Sequence, residues 1–144
     1  MFDRLERRIA RRVIGRRLAE MAREGRLEEV RRLADMLAEA GLIDYDYEEI
    51  RLGHREAKPI AGNLWAFRWD DDIYFVKVGF WKKLKLKLFG HTYVCHIKRP
   101  EWKAPLPIYL LRCEKHGIYY VDYLHGFPPN QYFCCPLCLK EGYD

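Results

Sequence analysis

The stretch Cys113-Glu114-Lys115-His116-Gly117, followed by Cys134-Cys135-Pro136-Leu137-Cys138, decides how the C-terminal part of the chain folds. It places a Cys-x2-His pair ahead of a Cys-x2-Cys pair, with the 18 residues 117–134 between them. Two residues between ligands allow a tight turn to direct both side chains at one ion, and two such turns complete a tetrahedron. The spacing is typical of two-pair zinc sites. The sequence therefore predicts a metal clamp near the C-terminus.

Two basic segments lie upstream of this clamp. The chain has 26 basic and 21 acidic residues, a net charge of +5. Residues 1–17 carry seven arginines against Asp3 and Glu6, and residues 73–100 carry six lysines and Arg99 without any acid. Such basic patches are what an anionic partner needs.

The polar composition is unusual. The chain has no serine, and its only threonine, glutamine and asparagine residues are Thr92, Gln131, Asn63 and Asn130. Few thermolabile amides combined with many charged residues indicate a thermophilic source. We find neither a signal peptide nor a run of about 20 apolar residues that spans a bilayer. We therefore expect a soluble, cytoplasmic protein without a membrane partner.

Residues 3–40 predict two helices. The first helix carries apolar residues at three- to four-residue steps, which predicts a one-sided apolar stripe. Its members are Leu5, Ile9, Val13 (or Ile14), Leu18 and Met21. Gly25 is the expected break, and Gly41 the expected end of the second helix. We predict a helical hairpin over residues 1–41 and expect its apolar stripe to rest on the β part, another copy or a partner.

Residues 42–63 are predicted to form a linker, because an acidic, aromatic stretch is followed by a turn-rich one. From residue 64 the apolar period changes to two, which predicts an antiparallel β-meander over residues 64–107. Its strands are expected at 64–69, 73–78, 83–88 and 91–97. In the 83–88 strand one face is leucine, and Lys83, Lys85 and Lys87 share the other, where lysines also guard an edge strand against aggregation.

Residues 108–142 resemble a zinc ribbon, in which two ligand-bearing turns at the ends of short strands hold one zinc ion. The resemblance assigns the ligands as Cys113, His116, Cys135 and Cys138 and implies a ribbon-like β unit over residues 108–144. His116 stands where cysteine is commoner, Leu139 where glycine often follows the last ligand, and Cys134 is an extra cysteine. The expected fold class is α+β, made of the hairpin, the meander and this unit.

Three alternatives to this site remain open at the level of sequence. Cys134 can replace Cys135 as a ligand, although Pro136 favours the shorter turn. Cys113 can form a disulfide with Cys134 or Cys135, which a thermophile composition permits but which leaves His116 unexplained. Iron can replace zinc, although a histidine in a Cys-rich tetrahedral site favours zinc. We expect one structural Zn²⁺, because four protein ligands leave no open position for catalysis.

The remaining histidines give no catalytic pattern. In a strand over 91–97, His91 and Cys95 face one side and His96 the other, so Cys95 and His96 cannot share an ion without a bulge. We interpret Cys95 as a core thiol. His125 lies between the two ligand pairs and is interpreted as an exposed loop histidine, with a role behind the metal ligands as the alternative. The chain is therefore not expected to be an enzyme.

These patterns favour a zinc-stabilised basic module that contacts nucleic acid or a nucleoprotein complex such as a ribosome or the transcription machinery, with lysines and arginines neutralising phosphates. The candidate contact residues are Lys77, Lys82, Lys83, Lys85, Lys87, Lys98, Arg99, Arg8, Arg12 and Arg16. The alternative is a self-assembling scaffold protein, cellular or viral, that forms a homo-oligomer through its N-terminal helices and carries the zinc only for stability.

Overall fold

The computed structural model describes residues 4–53 and 55–142 and has an α+β fold, which confirms the predicted class. Asp3 and the ends of the first and last predicted units lie outside these residues. The elements follow in the order α1 (Arg4–Arg23), α2 (Leu27–Glu39), α3 (Tyr47–Leu52), β1 (Ala57–Ala61), β2 (Leu64–Trp69), β3 (Asp72–Lys77), α4 (Phe80–Phe89), β4 (His91–Ile97), β5 (Leu106–Cys113), β6 (Ile118–Asp122) and α5 (Pro136–Gly142). Within the described ranges no helix is both long and apolar enough to cross a bilayer.

The strands form two antiparallel sheets of three strands each, ordered β1-β2-β3 and β4-β5-β6. The hairpin of β2 and β3 agrees with the sequence, but the single meander over residues 64–107 is wrong. Strand β4 pairs with β5 instead of continuing the first sheet. Helix α4 separates β3 from β4 in the chain, and β4 belongs to the second sheet. The two sheets are joined where Val121 donates its N–H to the Arg55 carbonyl at 2.9 Å.

Strand β2 lies between two hydrophobic cores because its side chains alternate between two covered faces. Leu64 and Ala66 pack with the first two helices. Trp65 and Phe67 pack on the opposite face, against side chains of the second sheet. A strand that is covered on both faces reads as nearly continuous apolar sequence, as residues 64–69 do. The first sheet is thus the central layer, with helices on one side and the second sheet on the other.

Helix α1 buries residues only in its second half. Gly15 and Leu18 are buried, and a Cβ atom at Gly15 would lie 2.4 Å from the carbonyl oxygen of Ala61, so only glycine allows this close approach. The first half of the predicted apolar stripe is on the surface instead, because α1 extends beyond the sheet. Leu5, Ile9 and Val13 are 64%, 55% and 60% exposed. The predicted break and end of the hairpin hold, since Gly25 and Gly41 have positive φ angles of 83° and 75°.

The strand predicted at 83–88 is wrong, because residues 80–89 form helix α4. Leucine and lysine are good helix formers, and the segment contains no β-branched residue to favour a strand. Gly79 precedes the helix, and Gly90 ends it in the left-handed conformation with φ 80°. The short alternation of leucine and lysine fits either period. In a helix Lys83, Lys85 and Lys87 no longer share one face.

The segment expected to be a linker carries α3 and β1. Asp46 caps α3, because its side chain accepts hydrogen bonds from the N–H groups of Glu48 and Glu49. Asp44 lies 2.6 Å from the guanidinium of Arg11, so part of this acidic stretch does return to the basic first helix.

Candidate metal centre

The first turn of the candidate site closes the hairpin between β5 and β6. Cys113 is the last residue of β5, and its carbonyl accepts a hydrogen bond from the Gly117 N–H at 2.8 Å. Gly117 has a φ of 65°, which is the conformation that glycine adopts without strain. The turn therefore brings His116 back toward Cys113, with the His116 Nδ1 atom 3.5 Å from the Cys113 sulfur.

The second turn is the start of helix α5. Pro136 is the first residue of this helix, a position that suits proline because its N–H would have no helical partner. The Cys135 carbonyl accepts a hydrogen bond from the Leu139 N–H at 2.9 Å, so Cys135 and Cys138 stand on one helical turn. Cys135 is buried and packs in a hydrophobic cluster with Leu111 and Tyr120.

The side chains of Cys113, His116, Cys135 and Cys138 converge and form a group that can hold a metal ion. The Cys138 sulfur lies 3.6 Å from the Cys113 sulfur and 3.4 Å from His116 Nδ1. The Cys135 sulfur lies 3.9 Å from the same nitrogen. Bond lengths of zinc to sulfur and nitrogen place tetrahedral donors about 3.8 Å (S to S) and about 3.6 Å (S to N) apart. The Cys3His donor set and its spacing fit a tetrahedral metal ion such as zinc.

Cys113 and Cys138 influence each other's pKa. Burial raises the pKa of Cys113, but hydrogen bonds with His116, Cys135 and Cys138 outweigh it and bring the pKa to about 6. Burial, together with contacts to Cys113 and Cys135, raises the pKa of Cys138 to about 11. One thiolate thus suppresses ionisation of the other, and a divalent cation bound here would favour the thiolate form of both Cys113 and Cys138.

Cys134 points away from this group. Its Sγ atom belongs to a second cluster with Asp122 and His125, in which the three candidate donor atoms lie within 4.8 Å of one another. The five cysteines are free, so neither disulfide considered from the sequence is present. Cys135 occupies the position facing the other donors, as the shorter turn predicts.

Asp122 is the centre of the second cluster and has no exposed surface. Its carboxylate accepts the Cys134 N–H at 2.8 Å and the Tyr123 N–H at 2.9 Å. It also lies 2.7 Å from the Arg55 guanidinium and 2.9 Å from His125 Nε2. A cation here would have to displace Arg55 and remain beside its charge. We therefore interpret the cluster as a support for the second metal turn.

Arg55 completes this support from the other side. Besides its pairing with Asp122, it donates a hydrogen bond to the Cys134 carbonyl at 2.9 Å. Both peptide groups of Cys134 are thus fixed next to the candidate ligand Cys135. The roles of Asp122 and Arg55 are not predictable from the sequence, because the spacing of single acids and arginines carries no signal for a buried pair. His125 is also not an exposed loop histidine: it is half-buried, bonded to Asp122 and packed against Tyr132.

The histidines and Cys95 of β4 form no comparable group in the described part of the chain. A β-bulge between Tyr93 and Cys95 interrupts the period of two, so Val94 and Ile97 are both buried. The predicted assignment of faces along 91–97 is therefore wrong beyond the bulge. Cys95 packs against the second core, and burial raises its pKa to about 12. His96 is exposed and contacts the hydroxyl group of Tyr93.

The basic residues predicted to bind nucleic acid do not form one surface. Arg8, Arg12, Arg16 and Lys83 line an open cleft between the first half of α1 and the turn that joins β1 to β2. The other residues of this cleft are Arg4, Arg7, Arg11, Gly62 and Asn63. The Lys83 ammonium group donates to the Asn63 side chain at 2.8 Å, which holds α4 against the turn. We call this concavity the arginine cleft.

The remaining predicted contact residues lie elsewhere. Lys77 and Lys82 line a different cavity, next to His96, and Lys98 is exposed beyond β4. Arg99 is half-buried and lies 3.1 Å from Asp70 and 3.7 Å from Asp72. Arg99 therefore pairs with carboxylates of the protein itself.

Comparison with known proteins adds no parallel for this arrangement. A scan against protein-family models, a search of curated proteins and a search of solved structures each found no match. What the fold and the site define is an α+β protein with a Cys3His group that can hold a metal ion.

Proposed function

We propose that this chain is a non-catalytic nucleic-acid-binding module with a ribbon-like C-terminal zinc unit, in which the second ligand turn begins helix α5 instead of ending a strand. We propose that it acts on nucleic acid or within a nucleoprotein complex. The observation that carries the proposal is the arginine cleft, where six arginines and Lys83 line one concavity. The zinc ion is structural: Cys113, His116, Cys135 and Cys138 are its four ligands, and no coordination position remains for a substrate.

The cleft suits a phosphate backbone because its arginines recur at helical intervals. Arg8, Arg12 and Arg16 follow one another in steps of four residues, which separates them by about 6 Å along the axis of α1. Each is exposed, and guanidinium groups bind phosphate oxygens with two parallel hydrogen bonds. Successive arginines can thus meet successive phosphates of one strand. The cleft supplies charge without base-specific geometry, so we expect little sequence preference.

The test is binding of the zinc-loaded chain to fluorescent single-stranded and duplex oligonucleotides over a range of salt concentrations. Replacing Arg8, Arg12 and Arg16 with glutamine removes three phosphate contacts. We expect the slope of log K against log salt to become shallower by about 2 to 3, because each contact contributes about 0.7 to 0.9.

The matched control replaces Arg17, Arg23 and Arg32 with glutamine. These arginines are exposed on α1 and α2 and do not line the cleft. Their replacement removes the same net charge as the cleft variant does. We expect the control to keep most of the affinity. Equal losses in both triple variants would mean that binding follows total charge, and binding insensitive to salt would remove the phosphate contacts altogether.

A second candidate function is self-assembly through α1. Leu5, Ile9 and Val13 are all more than half exposed and repeat at four-residue steps, so they form an apolar stripe without a partner within the described chain. Replacing Leu5 and Ile9 with glutamate is expected to convert an oligomer to a monomer in sedimentation velocity. A wild-type chain that is monomeric at all accessible concentrations excludes this candidate.

A further inference from the structure

Helix α4 turns an apolar face toward solvent. Only Leu86 is buried, whereas Phe80, Trp81, Leu88 and Phe89 are 69%, 72%, 65% and 69% exposed. The rings of Phe80 and Trp81 meet edge to face at 5.2 Å, which joins them into one surface. A surface helix normally directs its apolar stripe toward the core. The pattern in α4 is reversed, and the fold itself gives no reason for it.

Lysines border this apolar face. At 100° per residue, Lys83 and Lys87 lie on one flank of the helix, and Lys85 lies between Trp81 and Phe89. All three are exposed. Residues 73–100 contain no acidic residue, so no charge on this segment compensates them. The outer surface of α4 is therefore an apolar ridge that Lys83 and Lys87 border on one side and that Lys85 interrupts.

The size and charge of the ridge select the kind of partner. Its three aromatic side chains expose roughly 300–500 Å² in all, which is as large as the largest patch on a typical monomer. A stable protein interface buries about 800 Å² on each partner. A second copy of the chain would place the same lysines against one another. A lipid surface requires no minimum contact area, and anionic headgroups complement the lysines.

We propose that α4 binds the surface of membranes that contain anionic lipids, with Trp81 and Leu88 entering the headgroup region and Lys85 and Lys87 contacting lipid phosphates. The lysine stems can lie along the apolar boundary while their ammonium groups remain in the headgroup layer. This contact lies in the plane of the membrane and does not cross it. It goes beyond nucleic-acid binding and replaces the expectation of no membrane partner.

The proposal is tested by sedimenting the full, zinc-loaded chain with vesicles of phosphatidylcholine alone and of two parts phosphatidylcholine to one part phosphatidylglycerol. We expect partitioning into the anionic vesicles only. The variant Trp81→Ser/Leu88→Ser is expected to weaken it at least about tenfold, from the apolar area removed. The control Met36→Ser/Leu52→Ser removes two apolar side chains of similar exposure, 62% and 66%, from other helices. This control is expected to bind as the wild type does.

Fluorescence identifies the residue that enters the lipid. Trp65 and Trp69 are buried and Trp102 is half-buried, so a blue shift on vesicle binding is expected to come from Trp81. Trp81→Phe is expected to keep the partitioning and lose most of the shift.

The charge of the ridge is tested by Lys85→Gln/Lys87→Gln, which is expected to reduce binding to anionic vesicles. No partitioning into anionic vesicles, equal binding to both kinds of vesicle, or equal losses in the apolar variant and its control would each overturn the proposal. So would an apolar variant that dissociates an oligomer or loses oligonucleotide binding while its vesicle binding is unchanged. We expect Trp81→Ser/Leu88→Ser to bind oligonucleotides normally. Nucleic-acid binding by the arginine cleft is therefore tested independently of vesicle binding.

Discussion

Replacing Asp122 with asparagine tests whether the buried carboxylate holds the second metal turn in place. Asparagine keeps the size but replaces one acceptor oxygen with an NH2 donor. That donor would face either the Cys134 N–H, now 2.8 Å from the carboxylate, or the Arg55 guanidinium, now 2.7 Å away. In both orientations a buried donor loses its acceptor, which costs about 1–3 kcal/mol.

The lost charge adds to this cost. Removing one partner of a buried ion pair costs about 3–5 kcal/mol when both groups are inaccessible. Asp122 is 0% exposed but the Arg55 side chain is 24% exposed, so water compensates part of the loss. We expect the free energy of unfolding to fall by about 3 kcal/mol in all, which for a chain of this size lowers the melting temperature by about 6–12 °C. Because Cys134 precedes the proposed ligand Cys135, zinc affinity should also fall, by about 10- to 100-fold.

Thermal unfolding followed by circular dichroism measures the first effect, and competition with a chromophoric zinc chelator measures the second. Asp71→Asn is the control, because it makes the same chemical change at an exposed turn residue. The double variant Arg55→Met/Asp122→Asn should be less damaging than the sum of its single changes, since no buried charge remains. A melting temperature and zinc affinity of Asp122→Asn equal to those of the control would refute the supporting role.

Four further perturbations have measurable outcomes. Chelation of zinc should lower the melting temperature by at least about 10 °C. His116→Cys should keep the metal and His116→Ala should lose it, which elemental analysis of the purified variants measures. In the zinc-loaded protein, iodoacetamide at pH 7.5 should alkylate Cys134 before Cys95. The pKa of Cys95 is raised to about 12 by burial, so its rate should climb about tenfold per pH unit up to pH 11; equal rates at neutral pH would contradict this. Gly15→Ala places a Cβ 2.4 Å from a backbone carbonyl of β1 and should cost about 1–3 kcal/mol in denaturant unfolding, whereas Gly79→Ala, with no atom within 4 Å, should cost little.

The sequence was most informative where chemistry restricts spacing. The pairs Cys113/His116 and Cys135/Cys138 predicted the group that the structure brings together, because two-residue turns leave few ways to direct the side chains. Gly25 ended the first helix as expected, since its positive φ is costly for other residues. These are local rules that act within a few residues, so a single sequence is enough to apply them.

The sequence was least informative where the outcome depends on distant packing. Residues 83–88 alternate as a strand does, but they belong to a helix that Gly79 precedes and Gly90 ends. Of its side chains only Leu86 is buried. The apolar stripe of α1 predicts burial along its whole length, yet the sheet beneath it covers only the half that contains Gly15 and Leu18. Neither the extent of a neighbouring sheet nor the partner of a buried acid such as Asp122 is encoded in local periodicity.

The two turns that carry the candidate metal ligands are packed against the hydrophobic core of the protein. The buried Cys135, a proposed ligand, packs with Leu111 and Tyr120 of β5 and β6. The neighbouring residues of those strands, Leu110 and Val121, belong to the core between the two sheets. Since β5 and β6 are held from that side without the metal, zinc loss should loosen the two turns first and leave the sheets paired at moderate temperature. Far-ultraviolet circular dichroism of the chelated protein at 25 °C should then retain most of its strand signal, and a complete collapse to coil would mean that the metal holds the second sheet together as well.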